Sequence, residues 1–187
     1  IDRILDRTYN ANKKDKDAGA TNGYKKKRII ESSPVSASGG GKQKDAGVEY
    51  LLVDGYNVIF AWQELAELAR VNMDSARGRL LDILCNYQGI RRCELIVVFD
   101  AYRVEGHQTE ACDYHNIHVV YTKEAETADA YIERFAHEHA SRYRVTVATS
   151  DGLEQIIIRG AGCILLSARE FEQEVKEKNR QLQAEYD

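Results

Sequence analysis

Leu51-Leu52-Val53-Asp54-Gly55-Tyr56-Asn57 is the stretch on which the fold turns. Its apolar run has no polar alternation, as expected of a strand covered on both faces, and Asp-Gly then breaks the run. The same pattern recurs in Ile96-Val97-Val98-Phe99-Asp100 and in Val145-Thr146-Val147-Ala148-Thr149-Ser150-Asp151. Helical patterns separate these runs. The chain is expected to form a strand over 49–54, helices within 57–90, strands over 94–99 and 117–121, and a helix over 127–141. A strand over 144–149, a helix over 152–159, a short strand over 163–166 and a closing helix over 168–184 follow. Strand alternating with helix indicates an α/β fold, a three-layer sandwich around a mainly parallel sheet. Leu80, Leu81, Leu84 and Tyr87 form a core stripe on one helix, and Phe171 and Val175 are the inward residues of the last.

In such a sheet the carboxyl ends of the strands share one edge, and ligands bind in the crevice there. Asp54, Asp100 and Asp151 each close a strand, and Asp129 opens the helix after the strand over 117–121. Each acid has a local explanation as a helix cap. Asp151-Gly152-Leu153-Glu154 has the spacing of an approximate capping box, and Glu126 and Asp129 sit where a helix dipole favours negative charge. Asn57 adds an amide on the turn of Asp54, and Gly55 would let a ligand approach the backbone there. Several strands ending in an acid at one edge is the composition of a carboxylate site for a hard cation, Mg²⁺ or Mn²⁺. A metal-dependent enzyme acting on phosphate is therefore expected.

Bulk properties narrow the field further. The chain of 187 residues has room for one domain of ordinary size and a tail. No apolar run approaches the roughly 20 residues that span a bilayer, and no signal peptide is recognisable, so a soluble cytoplasmic location is expected. Cys85, Cys93, Cys112 and Cys163 are widely spaced without a C-x-x-C pair, which fits buried reduced thiols and argues against a zinc finger. His137 and His139 are two apart on a helix and point to different faces. Residues 1–47 are rich in Lys, Gly and Ser and are expected to be a flexible basic linker, with 11 Lys/Arg against 6 Asp/Glu. Residues 48–187 carry 15 against 24, so the folded domain is acidic and needs a metal, the basic tail or a larger assembly to hold nucleic acid. Ile1, Ile4, Leu5 and Tyr9 share one helical face, the remnant of a short amphipathic helix. With no starting Met, the chain is expected to be processed or part of something longer.

Rival chemistries lack their motifs. No G-x-G-x-x-G follows the first strand, and no phosphate-binding G-x-x-x-x-G-K-[ST] is present. A phosphatase using Asp54 as nucleophile would carry a second Asp where Tyr56 stands, which leaves that chemistry a weaker alternative.

Leu52-Val53-Asp54-Gly55-Tyr56-Asn57, Val97-Val98-Phe99-Asp100-Ala101, Thr127-Ala128-Asp129 and Thr149-Ser150-Asp151 together resemble the YacP-like NYN domain family, relatives of PIN-domain nucleases. The resemblance runs from about Tyr50 to Ser167. It implies a PIN-like sheet and a metal-dependent endoribonuclease; members include an endonuclease that cuts messenger RNA on the ribosome. It also implies Asp54, Asp100, Asp129 and Asp151 as the catalytic and metal-holding acids, with Asn57 and Glu126 in support. The opening Ile1-to-Tyr9 segment is similar to the extreme end of translation GTPases of the elongation-factor-G and tetracycline-resistance type, which implies a fusion delivered to the ribosome. On this reading one or two Mg²⁺ or Mn²⁺ ions activate water against an RNA phosphodiester, leaving 5′-phosphate and 3′-hydroxyl ends. Arg103, Arg77 and Lys123 are candidates for holding phosphate, and Tyr102 or Tyr56 for stacking a base. The non-enzymatic alternative is a degenerate nuclease fold that only binds RNA or the ribosome.

Overall fold

The unbroken apolar runs become the centre of a sheet, and both β1 (Glu49–Asp54) and β2 (Glu94–Phe99) are buried from their second residue to their last. A computed structural model describes residues 47–100, 111–123 and 125–186. After β1 come α1 (Gly55–Ala61), α2 (Gln63–Val71) and α3 (Met73–Arg91), then β2. β3 (Ala111–Tyr114), β4 (Ile117–Tyr121), α4 (Ala128–His139) and β5 (Arg144–Ala148) follow, and α5 (Gly152–Gly160), β6 (Ile164–Leu166) and α6 (Ala168–Tyr186) end the described chain.

The six strands lie in the order β3-β4-β2-β1-β5-β6. All neighbours are parallel except β3 and β4. From β1 the chain moves outward through β2 and later returns to the other side of β1 as β5. The carboxyl end of β1 is therefore the point where the winding reverses, which is where a crevice opens in folds of this kind.

Successive strand residues face opposite ways, so each face buries its own set. Leu51, Val53, Leu95, Val97 and Phe99 belong to one core with Leu80, Leu84 and Tyr87 of α3 and with Phe171 and Val175 of α6. On the other face α4 packs on β1, β2 and β5, with the Tyr50 ring edge-on to Phe135 at 5.4 Å. Helices on both faces give the three-layer sandwich.

One feature refines the sequence expectation of helices within 57–90, and another differs from the sequence expectation. The helical region before β2 divides into three, because Trp62 and Asn72 take extended backbone between helices and Asn72 caps α3 through Ser75 N–H at 3.1 Å. Part of the segment between the strands expected over 94–99 and 117–121, where the sequence pattern predicts no element, is the antiparallel edge strand β3. It reaches β4 through a two-residue turn at His115 and Asn116, with His115 at φ 53°.

No disulfide links the four cysteines; Cys93 is buried, whereas Cys112 is exposed on β3. His139 is half-buried and stacks on Phe135 at 4.1 Å, whereas His137 is exposed. The expected linker and amphipathic segment up to residue 46, and Tyr102 and Arg103, lie outside the described residues. Among the described residues no helix is long and apolar enough to cross a membrane.

Candidate functional site

β1 runs straight into α1, and Asp54 at the junction is both the last strand residue and the cap of the helix, accepting from Asn57 N–H at 3.3 Å. It is only 6% exposed. The following Gly55 has a different cause from the one its position suggests. A Cβ there would lie 2.3 Å from the Phe99 ring, so glycine admits a core aromatic rather than a ligand.

Asp129, in the first turn of α4, and Glu154, in the first turn of α5, join Asp54. One carboxylate oxygen from each lies within 4.8 Å of the others. Asp129 is exposed at the mouth, while Glu154 is 4% exposed, and neither of its oxygens has a hydrogen-bond partner among the described residues. The sequence spacing makes Glu154 half of an approximate capping box, in which its carboxylate would turn back to the Asp151 N–H. That N–H instead donates to Thr149 Oγ1 at 3.1 Å, and the Glu154 carboxylate turns inward.

Asp100 and Asp151 flank this trio, each engaged with a helix start. Asp100 Oδ1 accepts from Ala128 N–H at 2.7 Å, and Asp151 Oδ1 accepts from Leu153 N–H at 2.9 Å and Glu154 N–H at 3.2 Å. These bonds fix the first turns from which Asp129 and Glu154 project. Thr127 completes the α4 cap through Ala130 N–H at 3.2 Å.

The electrostatics tie all five acids together. Burial pushes Asp54 up to about 7, partly offset by the Asn57 N–H and reinforced by Asp129 and Asp100. Burial also raises Asp129, with Asp151 and Asp100 adding to it. Glu154 is pushed up to about 8, again first by burial; the Thr149 side chain favours its charged form, and Asp54, Asp129 and Asp151 oppose it. Like charges in a low-dielectric pocket suppress one another's ionisation unless a cation enters.

The remaining sequence candidates divide. Asn57 is held in place: its Oδ1 accepts from Ser150 N–H at 2.8 Å, joining the turns after β1 and β5. Glu126 is paired with Arg134 and is not one of the converging trio. Arg77 donates to Tyr56 Oη at 2.9 Å and pairs with Asp74, while Tyr56 is buried edge-on to Phe99 and is not a free base-stacking ring. Lys123 is half-buried just past β4.

A sequence model described as the YacP-like NYN domain matches residues 51–187. The chain is 39% identical over 137 residues to YacP of Bacillus subtilis (strain 168), an uncharacterised protein, covering 73% of this chain and 80% of that one. The crystal structure of Rae1 (YacP) from Bacillus subtilis is similar at 39% identity with a TM-score of 0.64, covering 73% of this chain and 79% of that one. A mutant of the same protein superposes with the same score at 38% identity, covering 73% and 80%. The Ile1-to-Tyr9 segment lies outside the family match.

Proposed function

This chain belongs to the YacP-like NYN domain family, a nuclease-type family, and on that premise we propose that it is a metal-dependent endoribonuclease that hydrolyses RNA phosphodiesters in a ribosome or translation context. The observation that carries the reading is the convergence of Asp54, Asp129 and Glu154 at the carboxyl end of β1, with both oxygens of a buried carboxylate lacking hydrogen bonds. An all-oxygen acidic set of this kind fits Mg²⁺ or Mn²⁺ better than zinc or copper.

Asp54 and Asp129 would hold the cation, Asp100 and Asp151 closing the site around them. When bound, the ion supplies Lewis acidity toward the phosphoryl group and lowers the pKa of water in its shell. The protein's own part is placement. Asp100 and Asp151 anchor the starts of α4 and α5, and Asn57 fixes the β5 turn against α1, so the carboxylates are held before substrate arrives. Arg77, steadied by Tyr56, and Lys123 are the described cations proposed to hold RNA phosphates. Arg103 shares that proposal from its sequence position alone.

Cleavage of a labelled messenger RNA, with Mg²⁺ or Mn²⁺ and with or without ribosomes, tests the reading. Wild type should cut only with metal, leaving 5′-phosphate and 3′-hydroxyl ends, and Asp54→Asn should bind RNA but not cut it. Ends bearing 2′,3′-cyclic phosphate would overturn the hydrolytic route. A ribosome requirement would support the translation context, and metal-independent retention of RNA without cutting would favour a binding module.

A further inference from the structure

Glu154 stands out among the buried acids. It is 4% exposed, its two carboxylate oxygens have no partner at hydrogen-bond geometry among the described residues, only the Thr149 side chain nearby favouring their charge, and one of them lies in the same 4.8 Å group as oxygens of Asp54 and Asp129. An ionised carboxylate taken out of water without hydrogen bonds or a counter-charge is unfavourable. Among the described residues the charges acting on these three acids come from other carboxylates and not from a Lys or Arg.

Local structure removes the ordinary explanation. A capping-box glutamate would satisfy the N–H of the cap residue, but Thr149 Oγ1 already accepts that N–H. The α5 start is capped without Glu154, since Asp151 Oδ1 receives both Leu153 N–H and Glu154 N–H. The glutamate is thus free of duty to its own helix.

Resting on the nuclease reading above, we infer that Glu154 is a direct ligand of the divalent cation, delivered from the first turn of α5 to complete a set with Asp54 and Asp129. The site would then take one ligand from each of three elements, β1, α4 and α5. The neighbouring Asp151 serves chiefly to orient the turn that carries Glu154.

Mn²⁺ binding to the full chain, followed by calorimetry and by the metal-induced rise in melting temperature, tests this without reference to activity. Glu154→Gln keeps the shape and removes the charge. It should bind Mn²⁺ about tenfold or more weakly, the scale on which even outer-shell changes weaken metal sites. The metal-free variant should melt no lower than wild type. Glu154→Asp, which keeps the charge and withdraws it by one methylene, should bind with intermediate affinity, and it decides the matter if the glutamine variant does not fold. Wild-type affinity in either variant, alongside weakened binding in Asp54→Asn, would overturn the ligand role and leave the nuclease reading standing. If wild type binds no Mn²⁺ and cuts no RNA, both fall together.

Discussion

At the scale of the residue, the chemistry is a matter of protons held where water cannot reach. Asp54 and Glu154 are raised to about 7 and about 8, whereas the same groups in an unfolded chain titrate near about 4. The folded state thus binds protons that the unfolded state has lost, and the stabilisation from these groups is complete below about pH 4 and disappears as pH rises through 7 to 8. Metal-free protein should accordingly show a falling melting temperature between about pH 5 and about pH 8.5. Asp54→Asn should flatten that slope, and an unchanged slope in this variant would mean that the proton sits elsewhere. Mn²⁺ must displace the same protons, so its binding should tighten across the same interval.

At the scale of the element, the helix starts decide what the acids do. Asp151 caps α5 through two N–H groups, and its replacement by Ala should cost about 1 kcal/mol. Asn at the same position caps nearly as well, so Asp151→Asn should recover the stability in urea titration. If cleavage also recovers in the Asn variant, the role of Asp151 is the cap alone. If it stays lost, the charge matters as well. This double duty explains how much of the site the sequence disclosed. The acids that end strands announce themselves because a strand end is a local event, visible as an apolar run followed by Asp-Gly or Ser-Asp. Glu154 was concealed because its spacing from Asp151 had a sufficient local explanation, and only the tertiary path of α5 turns it inward. Its helix also points Leu153 and Ile156 to solvent, which blurs the inward face. The core strands were legible for the same reason as the acids. β3 was not, since Ala111, Cys112 and Asp113 are exposed and their strand character comes from pairing with β4 rather than from their own pattern. The start of α6 is a genuine capping box, Ser167 and Glu170 exchanging bonds of 2.9 and 3.2 Å, and the expected boundary at 168 agrees with it.

At the scale of the whole molecule, distant parts of the chain are fastened by a few side chains, some of them in the core. The chain's single tryptophan, Trp62, donates from Nε1 to Ala168 O at 2.7 Å and packs on Phe171, binding the end of α1 to α6 across a sequence separation of 106 residues. Tyr87 Oη reaches Glu174 at 2.6 Å and ties α3 to the same helix. Near the carboxylates the fastening is a relay. Asn57 takes the Ser150 N–H, and Ser150 Oγ takes the Ala168 N–H at 2.9 Å, so the turn after β1, the turn after β5 and the head of α6 are stitched in series. Ser150 lies exposed, where a loop would ordinarily trade its amide proton with solvent quickly, whereas Ala168 is buried. Here both amide protons should be replaced by deuterium slowly, and Asn57→Ala should speed that replacement at Ser150 more than at Ala168. The rim of this crevice would then behave as part of the core, rigid in time although open in space.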